Sequence, residues 1–495
     1  MANLKLPKKD KMKDLTSGKV SKNLFIFMLP AIFSNLLSRA YTTIDSIMAG
    51  KILGESALAA IGSTSGFITL ITSLFWGLGT GVALYIGMKN SARQPKKTAK
   101  ALKYNFTVII LVALFISGLS IVLQKPIFAI HNVEPAIYKE AKIYYIILMA
   151  GLFMSAANTT TNYIFNAFGK SSHALITSAI SFCLNVGLNY LFMKVFQMGV
   201  LGAALASVIS LFGVFVVNVV AIILTIKKIE KENNTCSLID DEVEGFNING
   251  SETQGVNNQK ASRIFSKQEL KTALGYVFDA WKIGLPCMLQ QGVMYIAGAV
   301  VNPVVNDLGE ASTAAYTVCL EIYKVCTIAS YGAATALSNF SMQCYGNGKV
   351  NLINKGIVTS LLQGLALSMP VLLIMIVFPN TVASIFIKEG DALAIPYIVR
   401  YILLCCPCMI FVIVNSFFHA FYRGVKVPNL AMISSAVCTV VRIVVTFASV
   451  KSLGMDGVYL GFILGWLLEC IVCLIFFFTK IWKTKKYKEM EKAVK

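Results

Sequence analysis

Asp45 sits deep in an apolar run, Leu24–Glu55 (LFIFMLPAIFSNLLSRAYTTIDSIMAGKILGE). Carrying a carboxylate into hydrocarbon costs roughly 2.5–3.5 kcal/mol on insertion scales, so by default such a residue marks a functional site. A second apolar run, Ala174–Met193, holds Asn185 and Asn189 at i,i+4 on one helix face. Asp45 lies about 31 Å along a helix from Leu24, and the two amides fall toward the same outer half of the bilayer. One carboxylate and two amide oxygens at a shared depth form a donor set for Na+, and the carboxylate alone can take a proton. The competing reading pairs Asp45 with Arg39 and leaves the asparagines to cross-link helices. Arg39 is six positions away, near the opposite face, which favours the ion site.

Other polar residues interrupt the apolar runs. Asn158, Asn162 and Asn166 follow one another at i,i+4,i+8, a stripe that suits either a wet cavity wall or hydrogen bonds between helices. Glu321 and Lys324 can pair across one turn. Arg442 and Glu469 are further charges within apolar runs, open to a place on a pathway or in a static lock. The aromatic residues (31 Phe, 19 Tyr) suit stacking and cation–π contact with organic cations, though most must pack or face lipid.

The elements that must position these groups are membrane helices. The chain is 56% hydrophobic and only 14% charged, against about 25% charged for an average soluble domain. Uncharged runs such as Ser56–Met88, Val200–Ile226 and Gly356–Ile387 reach the roughly 20 residues that a helix needs to cross the bilayer. Alternating strands of a β-barrel are not seen. We expect an all-α integral membrane protein of twelve spans in two pseudo-symmetric six-helix lobes. A basic, solvated N-terminal arm (1–23) precedes the N-lobe (24–226). A polar linker (227–267), expected to lack structure, separates it from the C-lobe (268–480), and a basic tail (481–495) ends the chain. The N-terminus reads as an uncleaved signal-anchor.

The net charge of +20 raises nucleic acid as a partner, but its distribution points elsewhere. With the N-terminus inside, 33 of the 44 Lys and Arg residues fall on the inner side and 7 on the outer. That bias places the protein in the cytoplasmic membrane with both termini in the cytoplasm. No folded basic domain remains to bind nucleic acid. Trp482 and Tyr487 among the tail lysines read as interface anchors. The twelve Cys lie mostly within apolar runs, as soft packing. Three well-separated His (His131, His173, His419) form no metal pattern, and no phosphate-binding loop is present, so ATP is not the direct energy source. No enzyme signature and no cofactor beyond a coupling ion is expected.

The chain also repeats itself. Leu53-Gly54-Glu55 with Ala59-Ala60 matches Leu308-Gly309-Glu310 with Ala314-Ala315 at an offset of 255, and Gly199 and Gly202 match Gly454 and Gly457 at the same offset. Leu29-Pro30 matches Leu285-Pro286, and Ala167-Phe168 matches Ala420-Phe421. Six spans per half is an even number, so the halves run parallel. Two such halves with a site between them is a layout of alternating-access transporters.

Read in order, LPAIFSNLLSRAYTTIDSIMAGKILGESALAAIG (Leu29–Gly62), NVGLNYLFM (Asn185–Met193), MGVLGAALAS (Met198–Ser207), GLPCMLQQG (Gly284–Gly292), SMQCYGNGK (Ser341–Lys349) and FYRGVKVPN (Phe421–Asn429) resemble the MATE (multidrug and toxic compound extrusion) family. The resemblance covers nearly all of the chain except the linker and tails. It implies two lobes around a central cleft and export of cationic or amphipathic compounds driven by Na+ or H+ entry, with the chain expected as a monomer among membrane lipid. It also implies that Asp45, Asn185 and Asn189 form an N-lobe cation site. Some branches carry acids in spans 7 and 10, where this chain has Gln290, Gln291 and Asn415 instead. A C-lobe ion site is therefore not expected. Asn158, Asn162, Gln290, Glu321 and Arg442 are candidates for the pathway wall. Two alternatives remain: a flippase for a lipid-linked precursor, which Arg39, Arg400 and Arg442 would suit, and a non-transporting scaffold or receptor.

Overall fold

The computed structural model describes residues 14–130, 135–244, 267–386 and 392–494, and His131 lies outside them. The N-lobe consists of α1 (Val20–Leu53), α2 (Glu55–Ser91), α3 (Pro95–Val122), the short α4 (Gln124–Ile130), α5 (Tyr138–Ala150), α6 (Leu152–Ala167), α7 (Ser171–Asn189) and α8 (Gly199–Glu244). The C-lobe consists of α9 (Lys267–Asn306), α10 (Glu310–Gly346), α11 (Ile353–Val377), the short α12 (Pro379–Phe386), α13 (Ile395–Gly424), α14 (Pro428–Leu453) and α15 (Met455–Phe478), with α16 (Lys485–Val494) as a terminal helix. Ten of the described helices are long and apolar enough to cross a membrane, and eleven if α5 and α6, bent by 46°, count as one span. The remaining span is α10, whose 37 residues reach about 55 Å. Its exposed Thr317 and half-exposed Thr313, Glu321 and Lys324 form a stripe at helical spacing, which lowers its hydropathy.

Lipid explains the surface. α3 exposes Leu111, Phe115, Leu119 and Val122 on one stripe, and α14 does the same with Val440, Val444 and Phe447. Such contiguous apolar faces would be an aggregation hazard in water.

The duplication is written into the backbone. Gly54 (φ 89°) ends α1 and Gly309 (φ 100°), 255 residues on, sits between α9 and α10 in the same left-handed turn. The pairs Gly199 and Gly454 and Arg93 and Gly348 also share left-handed φ at an offset of 255. A Gly at position 54 or 309 adopts this region without the Cβ clash that other residues meet. Like break points give like helices, so α1 and α2 correspond to α9 and α10.

The lobes meet most tightly where glycines face backbone. A Cβ on Gly77 of α2 would collide with the Cys287 carbonyl of α9, and one on Gly81 with Gly284. Gly332 of α10 likewise lies against the Ile32 backbone of α1.

Three expectations change. The linker 227–267 is not irregular from its start, because α8 continues unbroken through Glu244; its remainder to 266 lies outside the described residues. The N-terminal arm is not wholly solvated. Leu15 is fully buried, its N–H donates to Gln343 Oε1 at 2.9 Å, and Lys349 reaches Thr16 Oγ1 at 3.1 Å. Gln343 Nε2 in turn donates to the Ala167 carbonyl at 3.4 Å, so this strap ties both lobes together at the end that carries the termini. Trp482 and Tyr487 are not headgroup anchors either. Both are buried, Trp482 against Phe421 and Phe477, with the Tyr487 hydroxyl donating to the Val350 carbonyl. The rings had more apolar area to bury than the flanking lysines had charge to solvate.

Candidate functional site

Asp45 is eight residues before the end of α1, about 12 Å from the face opposite the termini. The expected partners are there. Asn189 Nδ2 donates to Asp45 Oδ1 at 2.6 Å and to Asn185 Oδ1 at 3.0 Å, and Asn185 Nδ2 donates to Ser207 Oγ of α8 at 3.4 Å. One turn before Asp45, the Tyr41 hydroxyl lies against Ser207 and Ser210. α7 can bring both amides to one point because they are one helical turn apart, and the chain then passes into a π turn, Tyr190–Val195. Such turns are frequent at functional sites.

The amides are turned in a definite way. Two oxygens face the Asn189 nitrogen, so its own Oδ1 points away and is buried without a hydrogen-bond partner. Asn185 and Asn189 are both fully buried. Asp45 is thus held by donors, as an ionised carboxylate requires, with an unsatisfied oxygen one residue away. Arg39 does not pair with Asp45 and lies within electrostatic reach of Tyr295 and Tyr331.

The other candidates do not join this site. Asn158 Nδ2 donates to the Leu211 carbonyl at 3.0 Å and its Oδ1 accepts from Asn218 at 2.9 Å, so it ties α6 to α8. Asn162 accepts from Thr177 at 2.9 Å. Glu321 and Lys324 pair with each other on the half-exposed stripe of α10. Arg442 donates to the Tyr316 hydroxyl at 2.7 Å and lies over the Phe462 ring at 3.9 Å. Arg400 pairs with Asp456 at 2.6 Å.

Gln290 belongs to a separate buried cluster in the C-lobe that sequence reasoning did not assemble. Its Nε2 donates to His419 Nδ1 and to Ser435 Oγ, both at 3.0 Å, and its Oε1 accepts from Arg423 at 3.4 Å. His419 Nε2 faces Ser434 Oγ at 2.9 Å and Glu469 Oε1 at 3.4 Å. Asn415 Nδ2 donates to Glu469 Oε2 at 3.1 Å. The repeat touches only two of its members, since an offset of 253 carries Asn162 to Asn415 and one of 257 carries Thr177 to Ser434. Nothing in the repeat points to Glu469.

The MatE family model matches residues 30–191 and 286–448, one copy in each lobe. A curated relative, the probable multidrug resistance protein YpnP of Bacillus subtilis (strain 168), is 21% identical over 477 residues, covering 96% of this chain and 98% of its own. Among solved structures, a MOP superfamily transporter from Pyrococcus furiosus, described as having a binding pocket of reversed polarity, superposes with a TM-score of 0.79 at 20% identity. It covers 94% of this chain and 97% of its own. A mutant of the Vibrio cholerae MATE transporter VcmN superposes with a TM-score of 0.80 at 15% identity, covering 94% and 98%. At these identities the superpositions speak for the fold.

Proposed function

The chain belongs to the MatE family of multidrug transporters, and from that premise we propose that it is a cation-coupled antiporter, exporting cationic or amphipathic organic compounds by alternating access. Entry of H+ or Na+ drives the export, and Asp45 is the group that binds the ion. The observation that carries this is the Asp45–Asn189–Asn185 chain of hydrogen bonds, buried in a membrane span with an unsatisfied amide oxygen beside it. A carboxylate at that depth, held by neutral donors, gains most from a proton or a small cation.

The two lobes supply the conformational change. In this structure they are held together by the glycine seam within the spans and by the strap at Leu15 at the end carrying the termini, while Asp45 is near the opposite face. An ion arriving there from outside favours one arrangement of the lobes only if it binds the two arrangements with different affinity. The bond from Asn189 on α7 to Asp45 on α1 is a contact that such a change can make or break. The surplus of basic residues on one side of the spans supports a reading with both termini in the cytoplasm and the protein in the cell membrane. A single chain contains both lobes and suffices as the working unit.

The test is dye efflux from proteoliposomes with a Na+ gradient and a pH gradient imposed separately. Wild-type protein is expected to export dye under one of them, and D45N to lose that export. Wild-type efflux from D45N would overturn the reading.

A further inference from the structure

We propose that Glu469 is a second proton-binding group, in the C-lobe and independent of Asp45. It lies in a membrane span and is 7% exposed. Its use in transport rests on the antiport reading above, but its proton chemistry is a property of the folded protein alone.

The hydrogen bonds fix which atom takes the proton. Arg423 can only donate, so the Gln290 oxygen must face it, and the Gln290 NH2 must then face His419. His419 Nδ1 is thereby an acceptor, and the ring proton sits on Nε2, which points at Ser434 and Glu469. The imidazole is already committed: accepting a second proton on Nδ1 would break the bond from Gln290 and set N–H against N–H. The acceptor in the cluster that can still take up a proton is the Glu469 carboxylate.

Among the described residues no guanidinium or ammonium group neutralises that carboxylate. The three guanidinium groups on α13 and α14 are engaged elsewhere, Arg400 with Asp456, Arg423 with Gln290 and Arg442 with Tyr316 and Phe462. None is in salt-bridge reach of Glu469, and its one ion-pair contact among the described residues is to His419. The titratable groups near it on α10 and α14 are Tyr323 and Tyr331, whose hydroxyls bond each other at 3.1 Å, and Cys438, whose thiol lies beside it. Asn415 presents its amide nitrogen to the carboxylate, while its own Oδ1 is buried without a hydrogen-bond partner. The groups aimed at the carboxylate are thus an imidazole N–H, an amide N–H, a hydroxyl and a thiol, a set that suits a proton better than Na+.

Ser435 allows both states. Its hydroxyl faces the carboxylate and accepts from Gln290. It donates to the ionised form and can turn to accept from the protonated one. The bond to Asp45 comes instead from an amide that can only donate through nitrogen.

The two acids are not counterparts in the duplication, since an offset of 255 carries Asp45 to Val300 and Glu469 to Val214. Each lobe holds its own acid, at its own depth. Glu469 is 14 residues into α15 from the far face, about 21 Å against about 12 Å for Asp45.

The experiment is infrared difference spectroscopy of the purified protein in lipid, following the C=O stretch of protonated carboxylic acids as pH is changed. Wild type is expected to show a titrating band that E469Q lacks and D45N retains. S435A keeps the carboxyl but changes its partner, so the band should shift in frequency and remain. An E469Q spectrum identical to wild type at every pH would overturn the proposal, whatever the efflux results. A band that titrates while no gradient drives efflux would instead sink the antiport reading and leave this one standing.

Discussion

Asn189 Nδ2 is 2.6 Å from Asp45 Oδ1, and this bond joins the first helix of the N-lobe to the seventh. The donor is shared with Asn185, so the amide cannot turn over without losing two bonds at once. The pair is therefore a switchable tie: it holds α7 to α1 while Asp45 is ionised, and it weakens when a proton or cation occupies the carboxylate.

N189A should weaken that tie. A hydrogen bond to a charged group contributes about 1.5–3 kcal/mol, so the ion dependence of efflux should shift by roughly 10- to 100-fold in ion concentration. N189D puts a second carboxylate beside the first and should shift the dependence in the direction of tighter cation binding. The check is efflux rate against ion concentration in proteoliposomes; an unchanged midpoint in N189A would show that Asn189 only packs.

The glycine seam makes a second prediction. Gly77 has no room for a Cβ against the Cys287 carbonyl, so G77V cannot adopt the closed arrangement without moving α9. Overpacking of this kind costs about 1–3 kcal/mol. The expected outcome is a lower melting temperature in detergent and slower exchange between the two faces. G62A is the control, since a Cβ there meets nothing within 4 Å, and it should behave as wild type.

How much of this was legible beforehand differs by kind. Hydropathy and charge bias carry the helices and their order because lipid imposes both on local sequence. The repeat carries the two lobes, and the left-handed pairs at Gly54 and Gly309 bear it out in the backbone. The Asp45 site was legible because burial cost singles out a carboxylate and i,i+4 spacing aligns two amides. The Glu469 cluster was not. Its members come from α9, α13, α14 and α15, and Gln290 meets His419 across 129 residues. Looking for an acid in spans 7 and 10 missed that span 12 supplies one. Leu15 and Trp482 were hidden by neighbouring lysines, whose charge says nothing about where an apolar side chain packs.

The strap at the N-terminus should act as a latch on the closed end. Gln343 takes the Leu15 N–H and gives its own amide to Ala167, so Q343A strands a buried donor at a cost of about 1–3 kcal/mol. Amide hydrogen exchange at the closed ends of α6 and α10 is expected to rise in Q343A by about 5- to 100-fold. Exchange equal to wild type would mean that the glycine seam closes this end without help from the strap.

Arg442 tests whether every charge in a span serves transport. It is held by the Tyr316 hydroxyl and lies flat over Phe462, both within the C-lobe. A planar guanidinium stacks and donates at once, and an ammonium does not. R442K should therefore lose about 1–2 kcal/mol of stacking. The melting temperature should fall while the ion dependence of efflux stays put, because Arg442 contacts neither Asp45 nor Glu469. R442M separates packing from charge, since it keeps apolar bulk over Phe462 and strands the Tyr316 hydroxyl. If R442K moved the ion midpoint and left the melting temperature alone, Arg442 would belong to the transport machinery, and the division of labour among the buried charges drawn above would have to be redrawn.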